Sequence, residues 1–421
     1  MAGAHKLGEL LHRLHRCSVA VLDSATSLVC SLSKAYAQHQ VTERVARSRR
    51  ALRCSAGQVW RRAARLISSL LVHVLYFAAI SGAGWGLLTA LKVRAPRRRP
   101  RGIDMLFTAV SAATVSSMSA VEMEVFSNGQ LLVLTALMFI GGEVFVSLVG
   151  LASKWLELRK QIIRNRSRVD SHDDVELETP TVAAAGAEAA DADESRSIAT
   201  TATEAEYITT VVDAKMLRRN AVRSLFCVVL AILLVVHVVG AVSVAAYMRA
   251  APGARRTLRR KALDVWTFAV FTTVSTFSNC GYMPTNENMI VFKRDVPLQL
   301  LLAPQALVGN TLFPPLLAAC VWATGRKDLA EVAKKGREAT GYHLLEARRC
   351  WMLAGTVVGF IAVQAALVCA MEWGGALQGL SAGEKVSNAL FLAVNSRHTG
   401  EATLDLSTLA PAVLVLFVLM M

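Results

Sequence analysis

Charge is scarce in this chain. Asp, Glu, Lys and Arg make up 18% of its 421 residues, against about a quarter in an ordinary soluble domain. With 54% hydrophobic residues beside it, that scarcity argues against a cytosolic enzyme. Acidic residues are the rarer sign, 31 against 46 Lys and Arg. The resulting excess of +15 lies in the gaps between apolar runs and builds no basic stripe of the kind that holds nucleic acid, so no nucleic-acid partner is expected. The eight cysteines show no CxxC pair and no Cys/His ligand spacing, which argues against a disulfide framework or a zinc site; they read as small apolar fillers. No phosphate-binding G-x-x-x-x-G-K-[ST], paired acid/base motif or nucleophile elbow occurs. ATP-driven pumping and hydrolysis therefore have no support, and neither an enzyme nor a cofactor is expected. The first residues lack the apolar core and small-residue cleavage site of a signal peptide.

What is present is a series of apolar runs of spanning length, about 20 residues each. The expected fold is all-α and polytopic, with the lipid bilayer as its first partner. A basic cytosolic arm, 1–66, precedes a first unit, 67–152. An acidic, Ala/Thr/Ser-rich linker, 153–220, follows; its stretch 164–208 is too poor in apolar and aromatic residues to fold alone and reads as disordered, either a plain solvated linker or a regulatory one through its Ser and Thr. A second unit, 221–322, is joined by a linker, 323–349, to a third, 350–421. Spans are expected at 67–91, 130–151, 221–248, 296–322, 350–373 and 404–421, the fourth of them interrupted by Pro304, Pro314 and Pro315.

Each unit has the same internal order of span, short segment, span. The short segments read Phe107-Thr-Ala-Val-Ser111, Phe271-Thr-Thr-Val-Ser275 and Phe391-Leu-Ala-Val-Asn395, followed ten, ten and nine residues after the Phe by Ser117, Gly281 and Gly400. Such an internal repeat describes loops that enter the membrane and return between two helices. Irregular backbone at that depth is tolerated only when buried in protein or lining a water-filled path. A short helix ending at such a path also turns its negative dipole end toward a cation.

The loops Thr114-Val-Ser-Ser-Met-Ser119, Phe277-Ser-Asn-Cys-Gly-Tyr282 and Ser396-Arg-His-Thr-Gly-Glu401 closely resemble those of the plant high-affinity potassium transporter (HKT) family, in the Trk/Ktr superfamily. The resemblance also takes in Met123-Glu-Val-Phe-Ser-Asn128, Gly141-Gly-Glu-Val144, Pro284-Thr-Asn-Glu-Asn-Met289 and Gly309-Asn-Thr-Leu-Phe-Pro-Pro315. It implies helix, pore loop, helix units in a potassium-channel-like, pseudo-fourfold arrangement around a cation path. It further implies a plasma-membrane, multi-pass location and homodimerisation. By the resemblance the selectivity filter comprises Val115, Ser116 and Ser117; Asn279, Cys280 and Gly281; His398, Thr399 and Gly400. Gly281 and Gly400 match filter glycines. Ser117 matches the position where sodium-selective members carry serine and potassium-permeable members glycine. Its side chain either narrows the path or disturbs one set of carbonyls that replace the ion's water shell.

The transported ion is therefore expected to be Na+, moved passively, with combined Na+ and K+ transport as the alternative and no fixed metal site. Three of four units are present, so the chain is expected to be a C-terminally truncated form, inactive alone, or a short form that modulates full-length subunits. Other polar residues have two readings each. Glu143 lines the path or pairs with a basic residue; Asn310 satisfies backbone groups freed by the helix break or binds ions. Glu122, Glu124, Glu287 and Glu401 form an acidic outer vestibule or are solvated loop charges. His398 flanks the filter structurally. With the loops entering from outside, 30 of the 46 Lys and Arg fall on the cytosolic side, the expected direction of bias.

Overall fold

A computed structural model describes residues 70–94, 100–176, 191–325 and 347–420, and side chains over a smaller range that omits 165–214. The chain divides at Tyr76 into two units, and all contacts below lie within Phe77–Met421. The described residues form helices and no strand. In chain order they are α1 (Leu70–Ala90), α2 (Gly102–Ala113), α3 (Asn128–Gly141), α4 (Glu143–Glu176), α5 (Asp191–Ala250), α6 (Pro252–Arg260), α7 (Val265–Ser278), α8 (Val296–Val308), α9 (Phe313–Ala323), α10 (Ala347–Glu372), α11 (Ala382–Asn395) and α12 (Pro411–Met420).

Three helices are long and apolar enough to cross a membrane: α1, the Lys215–Ala250 part of α5, and the Arg348–Glu372 part of α10. The bent pairs α3–α4 and α8–α9 pass the same test as joined spans. Between these lie α2, α7 and α11, of 12, 14 and 14 residues. All are shorter than the roughly 20 residues a span requires. Their starts are written in the sequence. Asp264 accepts from the Thr267 backbone N–H at 3.0 Å, and Ser381 with Glu384 forms a reciprocal capping box, so the first orphan amides of α7 and α11 are satisfied.

Packing follows chain order: α2 lies on α3, α3 on α7, α7 on α8, α8 on α11, and α11 on α10. Met105 and Ala109 of α2, Phe268 and Phe271 of α7, and Phe391 and Val394 of α11 share one core. The three short helices are thus inner elements. α7 is the most enclosed, buried from Thr267 to Phe277 except for Val270.

Two glycines set where the inner bent spans dock. A Cβ on Gly141 would lie 1.8 Å from the Ala113 carbonyl oxygen, and one on Gly309 would lie 1.8 Å from that of Phe277. Ala113 and Phe277 each stand four residues before the third member of their loops, Ser117 and Gly281, so the same contact recurs in both units. Directly after these glycines the spans break, by 53° between α3 and α4 and by 80° between α8 and α9. The second break therefore falls at 309–312 and not at Pro304, which lies within α8. Pro314 and Pro315 open α9, where a missing N–H has no helical partner to lose.

Gly141→Ala and Gly309→Ala are each expected to cost about 1–3 kcal/mol through overpacking against a carbonyl that cannot rotate away. Thermal melting in detergent checks this, with Gly150→Ala as the control, since nothing lies within 4 Å of a Cβ there. Equal melting temperatures for all three variants would contradict the docking role.

Two further expectations differ from the structure. The stretch read as disordered is helical to Glu176 and again from Asp191, while 177–190 lie outside the described residues. The last span is shorter than expected: 404–410 form a turn and a 3-10 segment capped by Asp405, and α12 begins only at Pro411.

Candidate functional site

Each short helix ends in a loop whose backbone departs from ordinary conformations. In the first loop Val115 and Ser117 both have φ 55°. In the second, Asn279 has φ 60° and Gly281 φ 73°; in the third, Gly400 has φ 74°. Left-handed backbone costs a non-glycine residue roughly 1–2 kcal/mol, and for β-branched valine it is a genuine outlier. The two first loops repeat the pattern left-handed, intervening residue, left-handed. Alternating hand turns successive carbonyls toward one side, which is the arrangement a cation needs in place of its water shell.

Hydrogen bonds close the loops in parallel. Ser116 donates its backbone N–H to Ser111 at 3.0 Å, Cys280 to Ser275 at 2.9 Å, and Gly400 to Asn395 at 2.9 Å. Ser111, Ser275 and Asn395 are the equivalent residues of the sequence repeat. The third bond, however, ends on Gly400, one residue beyond His398 and Thr399 in a loop one residue shorter. Gly400 therefore takes the place of Ser116 and Cys280 in this bonding pattern. The nine-residue spacing in the sequence is the signal of that difference.

The loops meet at Gly281. A Cβ there would lie 1.8 Å from the Thr399 carbonyl oxygen and 3.7 Å from the Ser117 Cβ, so one atom's breadth separates all three loops. Outside this point a cavity of about 370 Å³ opens, lined by Ser117, Gly281, Glu122, Asn286 and neighbours. The Cys280 side chain is fully buried and hydrogen-bonded to the backbone of Ser117 and Tyr282; it is a cross-loop contact and more than a filler.

His398 is fixed through both ring nitrogens. Nδ1 lies 2.6 Å from the Val394 carbonyl, which can only accept, so this nitrogen carries a proton. Nε2 lies 2.8 Å from the Thr311 hydroxyl in the break between α8 and α9. Glu401, grouped in the sequence with the vestibule acids, is 1% exposed. One carboxyl oxygen accepts from the Thr276 hydroxyl at 2.7 Å, and the other has no hydrogen-bond partner among the described residues. It joins the third loop to α7 and does not face the mouth. Glu143 stands just after the first span break and Asn310 within the second, and both are exposed. The Asn310 backbone carbonyl accepts from the Phe313 N–H at 3.1 Å.

The acids of the mouth are partly neutralised. Lys261 binds both Glu124 and Glu287. Asn286 ties the same loops together through Glu122 at 3.1 Å and through the Glu124 backbone N–H at 3.2 Å. The Lys261 ammonium holds Glu287 below the usual carboxylate range. A carboxyl depressed on folding adds stability above its unfolded pKa and loses it as pH falls through its folded pKa. Acidification below the ordinary glutamate range is therefore expected to loosen this bracket, by less than about 1 kcal/mol because the pair is partly solvated. Lys261→Met is expected to flatten the acid dependence of the melting temperature. An unchanged dependence would place the bracket outside the folding equilibrium.

Sequence reasoning singled out the loops but missed Gly141, Gly309, Lys261, Asn286, Thr276, Thr311 and Tyr282 as their supports. Gly141, Gly309, Thr311, Tyr282 and Asn286 fell within the quoted motifs but without a stated role; Lys261 and Thr276 carried no local signal.

Similarity to known proteins extends over most of the chain. A family profile described as TrkH, cation transport protein, matches residues 197–421. The probable cation transporter HKT1;4 of Oryza sativa subsp. japonica is 66% identical over 360 residues, covering 84% of this chain and 70% of that protein. The sodium transporter HKT1 of Arabidopsis thaliana is 41% identical over 347 residues, covering 79% of this chain and 63% of that protein. The chain thus spans between three fifths and seven tenths of these relatives. The crystal structure of the potassium transporter TrkH from Vibrio parahaemolyticus overlays on 84% of this chain and 55% of that chain at 15% identity, with a TM-score of 0.45, too loose to match residues singly. A repeated short helix and strained loop between apolar spans, and two thirds identity to a plant cation transporter, have one reading in common: the chain belongs to the TrkH family of cation transport proteins, in its HKT branch.

Proposed function

We propose that this chain supplies three sides of a sodium-selective path through the plasma membrane, with flow driven by the electrochemical gradient alone. The observation that carries the reading is the meeting of the loops, where the Thr399 carbonyl and the Ser117 side chain both approach Gly281. A carbonyl-lined constriction with one serine has oxygen ligands for a small hard cation and less room for a larger one. The Arabidopsis relative is named a sodium transporter, which supports the same choice of ion. Glu143 and Asn310, exposed below the loops, would meet the ion after the constriction.

Passive sodium flux is tested by radiotracer sodium uptake into cells expressing the chain fused to the remainder of the rice relative, with the chain alone, expected to be inactive, as the blank. Uptake that follows the imposed sodium gradient and the membrane potential, and that excess potassium does not reduce, is expected. Uptake equally reduced by potassium would replace the reading with combined transport.

A further inference from the structure

We propose that Tyr282 is a positioning residue for ion selectivity, acting through Ser117 on the neighbouring loop. The proposal rests on the sodium-selective reading above and assigns part of the discrimination to a side chain that never touches the ion.

Tyr282 directly follows Gly281, and its ring is turned into the protein, 3% exposed. Its hydroxyl donates to the Met118 carbonyl and shares a 2.8 Å hydrogen bond with the Ser111 hydroxyl. Met118 and Ser111 lie 164 and 171 residues away in sequence, on the first loop and its short helix. Ser111 in turn accepts from the Met118 backbone N–H at 2.9 Å and lies 3.0 Å from the Ser116 hydroxyl. Met118 and Ser116 are the two neighbours of Ser117. The residue that distinguishes this loop is therefore held from both sides by a bracket whose one outside member is Tyr282.

Such a bracket has a reason to exist. Ser117 sits at φ 55°, a conformation that costs a serine roughly 1–2 kcal/mol and persists only where the surroundings enforce it. Releasing one flank lets the loop relax toward ordinary backbone angles, and the carbonyl direction and hydroxyl position at residue 117 relax with it. A loop free to adjust fits ions of different radius more evenly. Loss of the tyrosine hydroxyl should thus lower discrimination, beyond any loss of stability. The Cys280 contact to the Ser117 backbone remains in place, so the loop shifts without being set free.

Tyr282→Phe removes only one oxygen and keeps the buried ring. The test is the melting of the purified full chain in detergent, titrated separately with sodium and potassium against choline as an inert salt; ions that bind the folded state raise the melting temperature according to their dissociation constants. The wild-type chain is expected to show tighter apparent binding of sodium than of potassium. In Tyr282→Phe that preference is expected to fall about three- to tenfold, the effect of losing one or two hydrogen bonds. Ser111→Ala breaks the same bracket from the other side and should give the same loss, with the double variant no worse than either single one. A purely structural tyrosine would lower melting equally in all three salts and leave the ion preference intact, and that result in both variants would overturn the assignment. No difference between sodium and potassium in the wild-type chain would instead overturn the sodium reading on which it rests.

Discussion

In the chain fused to the remainder of the rice relative, Gly281→Ala is expected to abolish cation flux while the protein still inserts into the membrane. Two costs fall on the same atom. The backbone at φ 73° favours glycine, with a penalty of roughly 1–2 kcal/mol for alanine. Its methyl group would lie 1.8 Å from the Thr399 carbonyl oxygen, well inside contact distance, so that carbonyl must move by more than an ångström. Relief has few directions, because Thr399 is buried and its hydroxyl is hydrogen-bonded to Asn395. Gly400→Ala provides the contrast. Gly400 has the same left-handed backbone, at φ 74°, but nothing lies within 4 Å of a Cβ there. It should pay the conformational cost alone and retain measurable flux. Radiotracer uptake normalised to surface protein separates the two; equal losses would mean that the close approach to Thr399 is not what matters at Gly281.

The second large effect is a gain. Ser117→Gly should admit potassium alongside sodium, since glycine takes the left-handed conformation without strain and removes the Ser117 side chain from the junction of the loops. Stability should change little: relief of the strained serine is offset by the larger entropy a glycine loses on folding, about 0.5–1 kcal/mol. The measurement is the reversal potential on exchanging external sodium for potassium. A shift toward the potassium response in the variant, absent in the parent, is the expected result, and identical behaviour of the two would remove Ser117 from the selectivity assignment.

How far the sequence revealed this site depended on distance along the chain. The short segments were legible because Phe107, Phe271 and Phe391 head similar pentapeptides at nearly equal spacing from the loop residues, and local repetition survives in one sequence. The helix starts rest on equally local contacts that the sequence reading did not single out, Asp264 and Ser381 capping residues three positions on. Span breaks were half legible. Proline drew attention to 304, 314 and 315, yet the chain bends where Gly309 must pass the Phe277 carbonyl, a requirement set by another helix. The bracing was illegible. Glu401 reaches Thr276 across 125 residues, Lys261 reaches Glu124 across 137, and Tyr282 reaches Ser111 across 171. No periodicity or spacing links such pairs, and the burial that turns Glu401 from a vestibule acid into an interior strut arises only after three units pack.

In the proposed path Ser117, Gly281 and Thr399 surround one sodium-selective constriction. The measurement that reaches it is the reversal potential with sodium on one side of the membrane and potassium on the other, recorded from cells carrying the chain fused to the remainder of the rice relative. The account predicts a potential that tracks the sodium gradient and ignores potassium. A potential that follows potassium as closely as sodium would contradict it.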